Sequence, residues 1–263
     1  MNRILSFIAL LLIPIVSFGQ EKDFYDLDNS HHEIFRTNNV KSLKVFTTEY
    51  DKSGAVKEKF MDLIQKFAKN GDIVWEKEFY DESSAAWEIK YTYNEHHQMI
   101  LAEWTWLEEQ DQDLTIYVHD ANHKLVKALD YYKNTNSTEY KLQDGQIYHY
   151  KKGRLRKVTN LKNDIELRYK KKKGMVFGFS ADKKLKYKYK NGDFVYKDYD
   201  SIIFRYERNN IGQFLRVMKT DQNDSVLSNT VYEYSNGLLI KTITKDSKGN
   251  LIQEREYLYE YYK

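Results

Sequence analysis

Cysteine is absent from this chain, and its single proline, Pro14, falls within the first twenty residues. The first absence excludes disulfides, thiol nucleophiles and thiolate metal ligands. The second removes from everything downstream the residue that natural sheets use to blunt an exposed edge. No nucleophile elbow, Walker phosphate loop, dinucleotide fingerprint or His-Glu-x-x-His occurs. His119 and His123 stand four apart across Asp120-Ala121-Asn122, and His31-His32 and His96-His97 add imidazoles, yet no third ligand falls at metal-binding spacing. His96, His97 and His123 are expected instead at turn positions that tolerate unusual backbone angles. The sequence therefore predicts no metal, no cofactor and no enzyme.

What is present begins with a leader. Met1-Asn2-Arg3 is a short positive segment, Ile4 to Val16 is almost wholly apolar, and Ser17-Phe18-Gly19 offers small residues for cleavage before Gln20. The apolar run is too short for a transmembrane helix. With no Cys after it, lipidation is excluded, so the expectation for residues 20–263 is a periplasmic or secreted protein, not a lipoprotein and without a transmembrane anchor. A body of about 240 residues can bury enough surface to stand without disulfides.

Beyond the leader, Tyr-x-Tyr-x-x-Gly occurs at Tyr148–Gly153, Tyr187–Gly192 and Tyr232–Gly237. Alternating aromatic and polar residues that meet a Gly-bearing turn are half of a β-hairpin. Turn signals at Asn210-Ile211-Gly212, Gln222-Asn223-Asp224, Ser235-Asn236-Gly237 and Ser247-Lys248-Gly249 follow at steps of 12, 13 and 12 residues. The pattern predicts an all-β antiparallel meander of about 25-residue hairpin repeats. Tyr257, Tyr259 and Tyr261 fall on one side of a strand and Glu254, Glu256 and Glu260 on the other, which gives one aromatic face and one wet face. Some 16 to 18 strands exceed what an open twisted sheet holds, so a large curved sheet or a barrel-like or sandwich-like shell is expected. Charged strands such as Lys183–Lys190 argue for water on the outer face instead of lipid.

Residues 20–40 lack alternation and read as an N-terminal tail or cap; 41–263 form the repeat domain. The step becomes irregular within 134–182, which reads as a seam between two sub-arrays or as a bulged region of one. A short N-terminal helix is the alternative at Val56, Phe60, Leu63, Ile64 and Phe67, whose spacing is helical; the competing reading takes Leu63–Phe67 and Asp72–Phe79 as strands around an Asn-Gly turn.

Tyr232-Glu-Tyr234-Ser-Asn-Gly237-Leu-Leu239, and more loosely Glu49-Tyr50-Asp51-Lys-Ser-Gly54, resemble the YD repeats of bacterial Rhs-type surface and secreted proteins. Tyr189-Lys-Asn-Gly192 in the Lys-rich middle also resembles MORN-variant repeats. The resemblance implies β-hairpin scaffolds without catalytic residues.

Two candidate sites emerge. Trp104 and Trp106 flank Thr105 and project from one face, as a platform that stacks a sugar ring or as core. Arg168, Lys170, Lys171, Lys172 and Lys173, followed by Lys186 and Lys188, offer a basic strip beside tyrosines to a polyanion; the alternative is that these lysines guard strand edges. Residues 151–190 carry 16 bases against 3 acids, whereas 20–110 carry 19 acids against 11 bases. The acids Glu103, Glu108, Glu109, Asp111 and Asp113 read as a solvated hairpin loop. The expected function is non-enzymatic binding of an envelope polysaccharide or protein, with no nucleic acid partner. An accessory or immunity-type scaffold, and a glycan-active enzyme with two enclosed carboxylates, are the alternatives.

Overall fold

The computed structural model describes residues 30–79, 85–173, 175–190, 193–199, 202–209 and 213–263, so the leader lies outside the described residues. One short helix, α1 (Ser30–Thr37), precedes β1 (Val40–Tyr50), β2 (Val56–Phe67), β3 (Ile73–Phe79), β4 (Ala85–Tyr93), β5 (Met99–Trp106) and β6 (Gln112–His119). The chain continues through β7 (Leu125–Lys133), β8 (Lys141–Lys151), β9 (Arg154–Asn160), β10 (Ile165–Lys172), β11 (Met175–Ser180) and β12 (Leu185–Lys190). It ends with β13 (Asp193–Tyr199), β14 (Ile202–Arg208), β15 (Phe214–Asp221), β16 (Val226–Ser235), β17 (Leu238–Asp246) and β18 (Leu251–Tyr261). Each strand pairs antiparallel with the next, and β18 returns to pair with β1. Eighteen strands thus form one closed up-and-down barrel. Through residues 134–182 the ladder runs unbroken from β7 to β11.

The helix lies within the predicted cap, whereas the helically spaced stripe from Val56 to Phe67 is β2. Its spacing has a physical cause. Val45 pairs with Leu63 and Phe46 with Met61, which leaves Asp62 as a bulge. The extra residue shifts the alternation by one, so Phe60 and Leu63 share a face as they would on a helix.

The repeat resides in the turns. At Asp51–Ala55, Asn94–Gln98, Asp120–Lys124, Asp221–Ser225 and Asp246–Asn250, the first N–H donates to the fifth C=O at 2.8–3.0 Å. The side-chain oxygen of the first residue accepts from the N–H groups of the third and fifth, as Asp120 does from Asn122 and Lys124 at 2.8 and 3.0 Å. The fourth residue has positive φ, 85° at Gly54 and 87° at Gly249, but also 59° at His97 and 62° at His123. Asx bonding and a left-handed fourth residue therefore define the turn, and glycine is one way to fill it. The Tyr-x-Tyr-x-x-Gly phrase instead ends in two-residue turns, Lys152-Gly153 (53° and 76°) and Asn236-Gly237 (50° and 80°), the twist-matched hairpin type.

Neighbouring turns on one rim clasp each other. Gln98 Nε2 donates to the carbonyl of His123 (2.5 Å), Lys124 Nζ to that of Gly153 (2.6 Å), and Gln213 Nε2 to that of Gly237 (3.0 Å).

The inner face gathers most of the tyrosines. Tyr148, Val158, Tyr169 and Tyr189 form one buried cluster. Trp87, Ile89 and Ala102 form a second. In the third, Phe35 of α1 packs beside Leu43, Val45 and Phe67, 4.3 Å between the two phenyl centroids. Gly178 sits opposite Tyr169 and Tyr187, where a Cβ would come within 3.1 and 3.0 Å of their rings, so its lack of a side chain is what admits both. The expected separation of an aromatic from a wet face is incomplete. Trp75, Phe177, Phe179 and Tyr196 stand on the outer face, opposite Lys66, Lys170, Arg168 and Lys188 respectively.

Closure rests on β1 and β18. Leu43 opposes Tyr259 and Val45 opposes Tyr257. Inside the seam, Arg255 donates to Thr47 Oγ1 (3.2 Å) and pairs with Asp62 (3.0 Å), so one side chain ties β18, β1 and β2 together. Outside it, Tyr50 donates to Glu254 (2.9 Å) and Lys44 pairs with Glu260 (3.1 Å). Replacing Arg255 by Ala strands the mostly buried Asp62 carboxylate, and we expect a loss of about 2 kcal/mol in urea denaturation. Lys44→Ala, which removes an exposed pair, is expected to cost under ~0.5 kcal/mol. Equal urea midpoints for the two variants would refute this account of closure.

Candidate functional site

Two surfaces concentrate chemistry, one on each side of the barrel wall. The inner one is aromatic and acidic. Gln65 on β2 faces Glu76 on β3, and Gln65 Nε2 donates to Glu76 Oε2 at 2.5 Å with both side chains buried. Glu78 lies beside them, opposite Leu63. Burial pushes the Glu76 carboxyl up to about 7 against the opposing pull of the Gln65 bond. Burial first, then the charges of Asp62 and Glu76, push Glu78 up to about 8, with Arg255 opposing. The band continues through Asp113 and Asp130, both raised by burial and by neighbouring carboxylates, to Glu166, which accepts from Gln146 (2.9 Å) and is raised by burial and Asp144. Across the ring Lys197 is buried on β13, its ammonium 5.9 Å from the Tyr187 ring, and burial lowers it to about 8.

Trp104 and Trp106 belong to this inner surface. Trp106 stacks edge-on against Trp87 (5.4 Å between centroids, 63°) and donates Nε1–H to Asp113 at 2.7 Å. Trp104 lies between Ile89 and Asp113. Both indoles are half-buried beside that core cluster. The acids next to them divide: Glu108 and Glu109 are exposed in the turn, whereas Asp113 is drawn onto the inner face and Asp111 accepts from Tyr132 (2.5 Å). Among the described residues no group of three His, Asp or Glu side chains is placed to hold a metal ion.

The outer surface of β9–β13 is basic. Register places Lys170 opposite Phe177, Phe177 opposite Lys188, and Lys188 opposite Tyr196, one row across four strands. A second row runs His149, Lys157, Arg168, Phe179. The cations stand over the rings: Lys170 Nζ lies 5.7 Å from the Phe179 centroid and Lys188 Nζ 5.0 Å from that of Tyr196. Phe177 and Phe179 stack at 6.5 Å.

Of the predicted strip, Arg168, Lys170 and Lys188 thus share one face. Lys186 joins them but is held by Asp198 (3.7 Å). Lys172 ends β10 on the same side, Lys171 alternates to the other, and Lys173 occupies the turn with φ 49°. Sequence reasoning missed Lys157 and the three rings, because only the register brings them beside the lysines. It also missed Glu76 and Glu78, whose alternation with Trp75 and Lys77 gives no sign of which set turns inward.

No family model matches the chain, and no curated protein matches it. Solved structures align with most of it at low identity. A porin-like protein from Bacteroides uniformis is 8% identical with a TM-score of 0.44, over 85% of this chain and 97% of that one. A putative outer membrane lipoprotein-sorting protein domain from Vibrio parahaemolyticus is 9% identical with a TM-score of 0.27, over 88% and 92%. A LolA superfamily protein from Nitrosomonas europaea is 8% identical with a TM-score of 0.24, over 88% and 92%.

The raised carboxyls make stability depend on pH. Glu76 and Glu78 bind a proton more tightly folded than unfolded, so the stability this confers is complete below about pH 4 and is lost as pH rises through 7 and 8. For Glu76 the loss is on the order of 3 kcal/mol. Urea midpoints are expected to fall from pH 5 to pH 9, and Glu76→Gln, which keeps the acceptor for Gln65, to flatten that slope. An unchanged slope in the variant would show that Glu76 is not the group responsible.

Proposed function

We propose that this protein is a non-enzymatic, extracytoplasmic β-barrel that holds an anionic envelope polymer, a polysaccharide in particular, against the outer face of β9–β13. The observation that carries this reading is a contrast in pairing. Around the β1–β18 seam outer lysines are neutralised: Lys44 by Glu260 (3.1 Å), Lys59 by Glu256 (3.4 Å) and Lys241 by Glu254 (3.1 Å). Among the described residues no carboxylate lies within ion-pair distance of Lys157, Arg168, Lys170 or Lys188.

Edge protection does not account for them, because a closed ring has no unpaired strand to protect. Unpaired cations over half-buried rings attract a polyanion electrostatically and offer its apolar parts a stacking surface. The predicted leader supplies the extracytoplasmic address. Such an address makes envelope glycans the polyanions at hand, in preference to nucleic acid.

Retention on immobilised heparin, with dextran as the neutral control, tests the reading. Affinity is expected to fall linearly with the logarithm of salt concentration, and Lys170→Glu with Lys188→Glu to weaken it at least ~10-fold. Passage through heparin as freely as through dextran at low salt would defeat the proposal.

A further inference from the structure

The order of groups along the row restricts which polyanion fits. Resting on the proposal above, we infer that the outer face of β10–β13 is built for a linear acidic polysaccharide with one anionic group per disaccharide, lying across the strands.

The row reads cation, ring, cation, ring: Lys170 on β10, Phe177 on β11, Lys188 on β12 and Tyr196 on β13. Hydrogen-bonded strands stand about 4.8 Å apart, so the backbones that carry Lys170 and Lys188 are spaced by about 9.6 Å with the strand that carries Phe177 midway. That is close to the length of a disaccharide. A chain laid along the row presents a carboxylate or sulfate to Lys170, stacks its next sugar on Phe177, and meets Lys188 with its next anion. Tyr196 then receives the following sugar. A chain laid along β10 instead meets Arg168 and Lys170 about 7 Å apart with no ring between them in that strand, so the alternation exists in one direction only.

Three features favour sugar over a bare polyanion. Phe177 and Phe179 stack on each other and keep part of their surface open, which a phosphate chain has no means to use. Lys188 is anchored over Tyr196 at 5.0 Å, which fixes a cation beside a ring instead of leaving it free to follow any charge. Lys186, the neighbouring cation that would break the alternation, is taken up by Asp198 (3.7 Å). The site thus separates its charges while the sequence, read alone, shows an undivided lysine run.

The test measures binding of four oligomers of equal length by calorimetry at 150 mM salt: hyaluronan, with one carboxylate per disaccharide; oligogalacturonate, with one per sugar; polyphosphate; and neutral chito-oligosaccharide. Hyaluronan is expected to bind at least ~10-fold more tightly than the other three. Phe177→Leu, which keeps an apolar side chain of similar bulk, is expected to remove that preference without altering the urea midpoint; Tyr196→Leu does the same. Equal binding of oligogalacturonate, polyphosphate and hyaluronan, unaffected by Phe177→Leu, overturns this inference and leaves the polyanion proposal standing. Binding of none of the anionic oligomers overturns both. Preference for the neutral oligomer overturns both as well, since it would make the rings the site and the cations bystanders.

Discussion

The return of the last strand to the first is the contact on which the rest of this molecule depends. Seventeen of the eighteen pairings join strands that are consecutive in sequence, and any of them could form in an open meander. The pairing of β18 with β1 alone spans the length of the described chain, and the chain has no proline after residue 14 to protect two loose edges had it not formed. That is why the seam carries more side-chain bonds than backbone pairing requires. Arg255, Thr47 and Asp62 lock its inner side, and Tyr262, beyond the end of β18, donates its N–H to Asn39 and its hydroxyl to Phe67.

Closure gives the two faces different chemistry. Inside, phenols and carboxyls are crowded onto a concave surface and lose water; Tyr117 is pushed up to about 12 by burial and by Asp130, and the carboxyls near it are raised too. Outside, the surface is convex and its charges stay hydrated, so those that pair do so at modest energetic value. In the sector from β9 to β13, Lys157, Arg168, Lys170 and Lys188 stand together without matching acids among the described residues. A barrel whose interior is acidic and whose exterior is locally basic keeps the two sets apart by the thickness of one sheet.

Much of this was legible in the sequence, for reasons that can be named. The twelve-residue beat is a strand plus a five-residue turn, and both parts are local. His97 and His123 were readable as turn residues because Asn94 and Asp120, three positions earlier, supply the side-chain acceptor that such turns need. The tyrosines of Tyr232-Glu-Tyr234 face inward as alternation demands. Alternation failed where bulges reset it, as at Asp62, and where two alternating sets are both amphiphilic. In Ile73–Phe79 the pattern offers Trp75 for the interior and Glu76 for water. The structure does the reverse, with Lys66 standing 4.4 Å over the Trp75 ring and Glu76 accepting from Gln65 inside. The lysine strip was visible as composition; its interleaving with Phe177, Phe179 and Tyr196 was not, because that depends on neighbours in space.

The clasps along one rim bear on how such a molecule changes size. Gln98, Lys124 and Gln213 each reach only to the turn of the following hairpin, and each strand bonds only to its two flanking strands. Among the described residues the rim clasps join each hairpin only to its immediate companions. Duplicating or deleting one would therefore leave every local handshake intact and alter only the circumference, so the girth of this ring is a tally of hairpins that genetic recombination can adjust one unit at a time.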